Sequence, residues 1–311
     1  MIKDTTTYLS NFHNEPIMGE DFINAISDFG FKKIMSDTEI LTDFINTFTP
    51  DDFPQIVHAE LLPQESLGLQ ENQRKLIFDV KAKDNEGRIF IIEVQKISQK
   101  FFVKRSLFYN AREISNQGEK GNKWKYSFQP VHNISVLNFT PDEPWAEKLY
   151  NSFSMLDINT HKKLSDDMSQ TYLLLDFLNK DKNKQNDRRK QWCYILKNIV
   201  YLKRAQFTQA DWAHDKIYNK ITNSLAKAAL TKKELEMVNE EEKALMDYYA
   251  ILASHKEDAY ALGEAKGRAA GLAEGEAKGR TALAKKLKAK GMPLAEIAEL
   301  TELPLEVVKN L

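Results

Sequence analysis

Residues 75 to 95 read KLIFDVKAKDNEGRIFIIEVQ, two runs in which apolar and polar positions alternate on either side of Asn85, Glu86 and Gly87. A period of two marks strands, and a short loop closing on glycine predicts an antiparallel hairpin. In that register Asp84 faces Arg88, Lys81 faces Ile91, Asp79 faces Glu93 and Ile77 faces Gln95, because opposed residues share a face. Phe78, Val80, Ile92 and Val94 fill the other face. One side of the hairpin is then apolar and the other is centred on two acids.

Elsewhere the period lengthens. Residues 21–48 carry Phe22, Ile26, Phe29, Phe31, Ile34, Leu41, Phe44, Ile45 and Phe48 in a helical pattern, predicting one or two helices with a break or bend near Gly30 or Asp37. A short strand is expected around QIVHAELL, within 55–64. A helix over about 100–116 rests on Phe102, Leu107, Phe108, Ala111 and Ile114, and ends near Gly118. VHNISVLNF, 131–139, predicts another strand, and QTYLLLDFL, 170–178, one more strand or a buried segment. After the polar break at 181–190, residues 191–262 contain neither glycine nor proline and read as mostly helical. The order helix, strand, strand, helix, strand is an α/β signal.

From residue 263 glycine recurs at 263, 267, 271, 275 and 279. On a helix this stripe winds by about 40° per repeat, and each internal glycine costs about 1 kcal/mol against alanine. Glu264, Lys266, Arg268, Glu274, Glu276, Lys278 and Arg280 exclude a membrane span. Two readings stand: a flexible charged linker, or a helical tail that associates with copies of itself through close packing. Residues 282–311 form two short helical patterns set off by Gly291 to Pro293 and by Pro304. They read either as a helix-turn-helix unit contacting DNA or as a packing or dimerisation cap.

Composition narrows the classes. The 311 residues balance 44 Lys and Arg against 45 Asp and Glu, so a polyanionic partner needs a local cluster of charge. One cysteine, Cys193, excludes an internal disulfide framework, and the 6 histidines lack zinc spacing. No apolar signal core and no run of about 18 apolar residues occurs, so the expected setting is cytoplasmic, without a membrane.

The candidate chemistry lies in the hairpin. Carboxylates set opposite each other repel unless a divalent cation or a shared proton intervenes. Mg²⁺ takes one or two carboxylates plus waters and substrate phosphate, and activates water against a phosphodiester. The plainer reading is an ordinary hairpin with one solvated face.

Asp79-Val80-x-Ala82-x-Asp84-x-x-Gly87 followed by Ile92-Glu93-Val94-Gln95 resembles the PD-(D/E)XK nuclease superfamily, in particular the bacterial nuclease-type transposases, or recombination-promoting nucleases. DFGFKKIMSD at 28–37 is similar to that family's N-terminal helix signature, and KRSLFYNAREISNQ to its helix after the strand. PVHNISVLNF, WCYIL and the charged glycine tail also agree with it. Where relatives carry Glu-Leu-Pro-Lys after the core, this chain has LLLDFLNK, which contains Asp176.

The resemblance implies a restriction-endonuclease-like α/β core, a mixed sheet flanked by helices, with a helical C-terminal region. The expected organisation is a leader over 1–20, the nuclease-like domain over 21–205, a helical region over 206–262, the glycine repeat over 263–281 and the small helical tail over 282–311. The implied activity is a Mg²⁺-dependent DNA endonuclease, other divalent cations being possible, linked to recombination, mobile elements or phage defence. Asp79 and Glu93 match the metal-binding acids, and the Val94 carbonyl a further ligand. Gln95 stands where most of the superfamily has lysine; it can orient water but brings no charge. Lys81 and Lys32 are candidates for that charge. Asp28, Lys32, Arg105, Tyr109 and Gln117 match positions that support site or substrate, with surface or internal ion pairs as the alternative for Asp28, Lys32 and Arg105. DNA is the implied partner, and a homo-oligomer through the tail is expected. The competing class is a catalytically degenerate nuclease fold serving as a DNA-binding or assembly module.

Overall fold

The computed structural model describes residues 20–66, 76–119, 125–178, 187–204 and 214–311. Two side-chain caps start the first helices. The Ser27 hydroxyl accepts from Gly30 N–H at the head of α1 (Asp28–Met35), and Asp37 accepts from the N–H groups of Glu39 and Ile40 at the head of α2 (Thr38–Phe48). The break therefore falls at Asp37, where a short polar side chain satisfies donors that a continuous helix would have paired. Gly30 lies inside α1, where a Cβ would come 2.2 Å from the Asn24 carbonyl oxygen.

The strands are β1 (Ala59–Leu61), β2 (Glu65–Ser66), β3 (Leu76–Ile77), β4 (Val80–Asp84), β5 (Ile89–Gln95), β6 (Val131–Leu137), β7 (Tyr150–Ser154) and β8 (Met168–Leu174), with α3 (Phe102–Asn116) between β5 and β6. Six form a mixed sheet in the order β1-β4-β5-β6-β8-β7, while β2 and β3 pair separately. β5, β6 and β8 run parallel, and the remaining pairings are antiparallel.

The hairpin turns where the spacing predicts. Gly87 takes φ 88°, Asp84 N–H donates to the Arg88 carbonyl at 3.1 Å, and the buried Asp84 carboxylate pairs with the Arg88 guanidinium at 2.5 Å. Lys81 opposes Ile91 and Val80 opposes Ile92, the predicted register. Two expectations fail at the far end. Ile77 of β3 pairs with Glu65 of β2 rather than with Gln95. Phe78 leaves the face of Val80 and Ile92 and packs with Ile91 and Val131. The cause is one interruption at Phe78 and Asp79, which ends β3 and resets the alternation before β4. The polar edge strand β7 carries no alternation strong enough to foresee.

One face of the sheet packs on α1, α2, α4 (Arg188–Asn198) and α5 (Lys216–Leu225), around Phe22, Ile34, Phe44, Phe90, Ile92, Ile134, Trp192 and Tyr218. Arg188 ties three of these helices together, binding Asp43 and Asp215 at 2.7 Å each. α3 covers the other face, where Ile91 and Val131 form one apolar cluster and Leu137, Tyr172 and Leu174 another.

The chain divides into two compact units, Met1–Glu242 and Lys243–Leu311. α5 belongs to the core of the first, so the helical stretch expected over 206–262 is divided between the units. α6 (Lys232–Ala289) is a single helix of 58 residues, into which the five glycines of the repeat fold without a break. Thr231 and Glu234 cap its start reciprocally. In the second unit α7 (Leu294–Thr301) and α8 (Leu305–Asn310) fold back on the end of α6, burying Ala284, Ile297 and Val308 together. No helix among the described residues is long and apolar enough to cross a membrane.

Candidate active site

Continuing the β4–β5 register by one step places Asp79 opposite Glu93, just where the ladder stops at Val80. The interruption of the strand frees the Asp79 side chain, and its Oδ2 accepts from Val94 N–H at 2.7 Å. The Asp79 carbonyl in turn accepts from the Gln64 side-chain amide at 2.8 Å. Glu93 is 3% exposed and opposes Ser135 of β6, two residues before the end of a parallel strand. Gln95 opposes Leu137 on the same face and is half-buried.

Both acids are held toward their neutral forms. Burial, followed by the neighbouring Asp79 carboxylate, pushes Glu93 up to about 8, against weaker pulls from Arg105, from the Asp79 N–H that its carboxylate accepts, and from Lys32. Burial also raises Asp79, helped by Asp28 and opposed by the Val94 N–H, Lys32 and Arg105. Among the described residues Glu93 Oε1 has no hydrogen-bond partner although it is shut off from solvent. A buried carboxylate oxygen without a donor is costly, and a pair of carboxylates with raised pKa values is a common mark of a functional site.

α3 brings the cations. Arg105 Nη2 stands 3.9 Å from Glu93 Oε2, its Nη1 donates to Gln99, and its guanidinium lies 5.1 Å from the Phe102 ring and 5.8 Å from that of Tyr109. Tyr109 also packs edge-on against Phe78. Lys81, one rung from Asp79 on the same face, pairs with the buried Glu113 of α3 at 2.5 Å. Gln117 is held elsewhere: its amide donates to the Gln129 carbonyl and accepts from Gln129 N–H, fixing the approach to β6.

α1 contributes from another side. Lys32 and Asp28 form an ion pair at 2.7 Å, and both act electrostatically on Asp79. The Glu241 carboxylate of α6 accepts from the N–H groups of Asp28 at 2.7 Å and Phe29 at 3.1 Å. It also binds Lys96, next to Gln95, at 2.6 Å. Sequence reasoning missed Lys96 and Glu241. The first had a signal, a lysine adjoining the strand end that bears Gln95; the second, 145 residues from its partner, had none.

The arrangement is thus two opposed acids, one of them with a buried oxygen that no donor meets, at the end of a parallel strand and within the electrostatic reach of Lys32 and Arg105. No cluster of three His, Cys, Asp or Glu side chains suited to a metal occurs among the described residues. Residues 25–255 match the family model described as PD-(D/E)XK nuclease family transposase, which takes in the sheet, both acids and the flanking helices. No curated protein and no solved structure matches the chain. The chain belongs to the PD-(D/E)XK nuclease family transposases.

Proposed function

We propose, from that membership and from the facing pair Asp79 and Glu93, that the protein is a metal-dependent DNA endonuclease that hydrolyses phosphodiester bonds. The observation that carries the reading is the buried Glu93 Oε1, which lacks a donor and lies opposite a second acid whose pKa is also raised. Nothing in the hairpin's own packing calls for two such groups. They suit an oxygen-seeking divalent cation, with Mg²⁺ as the first candidate.

Asp79, Glu93 and the Val94 carbonyl would hold that cation, which supplies Lewis acidity and a water made more acidic. Asp79 is fixed for this by Val94 N–H, which occupies one carboxylate oxygen. Gln95, two residues beyond Glu93 on the same face, orients the attacking water through its amide. Arg105, at the edge of the pair, meets the incoming phosphate, and Lys81 and Lys32 add positive potential where charge develops. Asp28 and Tyr109 set the positions of Lys32 and Arg105. Gln117 supports the fold of the site from a distance. In this reading the protein serves DNA recombination, mobile elements or phage defence, as a cytoplasmic oligomer joined through its tail.

The deciding experiment incubates the purified full chain with supercoiled plasmid and Mg²⁺, beside Asp79→Ala. Nicking by the parent and a loss of at least a hundredfold in the variant are expected. Equal nicking by both, or none by either with several divalent metals, would return the fold to a DNA-binding or assembly role.

A further inference from the structure

The outward side of α3 has a composition that neither packing nor the two acids explain. At about 100° per residue, Phe101, Lys104, Arg105, Phe108 and Arg112 fall within one stripe roughly 100° wide. Phe101 is 65% exposed and Phe108 49% exposed, whereas Phe102, Ser106, Asn110 and Glu113 on the opposite side are buried against the sheet. Basic groups lie over both rings: Lys100 Nζ is 5.8 Å from the Phe101 centroid, and the Arg112 guanidinium is 5.4 Å from that of Phe108. From Lys100 to Arg112 the chain contains no acid. The stripe borders the site midway along its length, because Arg105, between the two rings, is the cation 3.9 Å from Glu93.

Resting on the nuclease reading above, we propose that this stripe is a stacking platform for unpaired bases of the DNA substrate, carrying a single-stranded stretch toward Asp79 and Glu93. Exposed aromatic rings interleaved with Lys and Arg are the chemistry by which single strands are held, rings taking base faces and cations taking phosphates. Bases within a duplex are stacked on one another and offer no free face to a phenyl ring. The two rings, seven residues apart, are separated by about 10 Å along the helix, enough for two or three nucleotides at roughly 3.4 Å each.

A second copy of the chain is the poorer occupant. A two-fold contact would set this stripe against itself or its near neighbours, bringing cation against cation with no acid in 100–112 to relieve them. A lipid surface is disfavoured because the helix is held by its inner side, with Asn110 bonded to the Ser169 carbonyl and Ser106 to Gln170 and Tyr172. What remains exposed is a narrow ridge.

The test is binding, read apart from cleavage. Fluorescence anisotropy in EDTA compares a single-stranded oligonucleotide with a blunt duplex of the same length, for the full chain, for Phe101→Ala/Phe108→Ala and for Phe101→Trp/Phe108→Trp. The alanine pair should weaken single-strand binding at least tenfold and duplex binding less than threefold, with unchanged circular dichroism and unchanged mass by light scattering. The tryptophan pair should retain single-strand affinity. Equal weakening on both DNAs, no weakening on either, or a fall in oligomer mass would overturn the platform, whatever the plasmid assay shows. Absent nicking with the binding pattern intact would instead remove the nuclease reading alone.

Discussion

Glu93 is held neutral by surroundings that do not welcome its charge, and this gives the site a stability signature of its own. An unfolded chain ionises this group near 4.5, whereas the folded chain holds its proton to about 8. Between those values the folded state binds more protons, so stability falls as pH rises through the window, by up to about 1.4 kcal/mol per pH unit. Glu93→Gln has no such charge to bury. Metal-free Glu93→Gln should match the parent near pH 5 in urea denaturation and become progressively more stable than it toward pH 8, the gap closing when Mg²⁺ is added. A gap independent of pH would show that Glu93 is solvated. The identity of the pair is legible in the sequence, because alternation around Asn85 to Gly87 sets Asp79 against Glu93. Its geometry is not. That the strand stops at Asp79 with a carboxylate turned toward Val94 N–H, and that Ile77 pairs with Glu65, are written in no local period.

At the scale of elements, α3 is fixed to the sheet by polar contacts as much as by apolar ones, and Lys81 with Glu113 is the most buried of its ion pairs. Their side chains are 13% and 3% exposed. Removing one member of a buried pair strands the other, at a cost of about 3–5 kcal/mol, while replacing both with apolar groups is often near neutral. Lys81→Met alone should therefore lower the melting temperature, and Lys81→Met/Glu113→Leu should restore it. Plasmid nicking should remain at least tenfold down in the restored double variant, because the site still lacks the Lys81 charge. Full nicking in the double variant would reduce Lys81 to a counterion for Glu113. Helices and strands were legible here to different degrees for physical reasons. α2 announces itself by Asp37 and a clean apolar stripe, and the β6 segment by its Val, Ile and Phe content. β7, on the sheet edge, has only one partner strand and a polar sequence, so its existence follows from β8 rather than from its own residues.

The whole molecule poses the question of why α6 keeps its glycines. The repeat suggested a linker as readily as a helix, since each glycine lowers helix stability by about 1 kcal/mol; the structure resolves that ambiguity in favour of the helix. Yet a Cβ added at Gly263, Gly267, Gly271, Gly275 or Gly279 would meet nothing within 4 Å. The chain's own packing does not need them. A helix that retains five unfavourable residues at a spacing of four has a surface suited to close approach by another backbone, which in the proposed oligomer would be a copy of the same tail. Deleting residues 263–311 should lower the mass in multi-angle light scattering while leaving the melting of the first unit unchanged, since that unit closes at Glu242. Replacing all five glycines by alanine separates this from mere helix stability. The alanine tail is the better isolated helix, so it should raise helicity while lowering the mass. A stable oligomer in both variants would place self-association elsewhere and leave the glycines without a packing role.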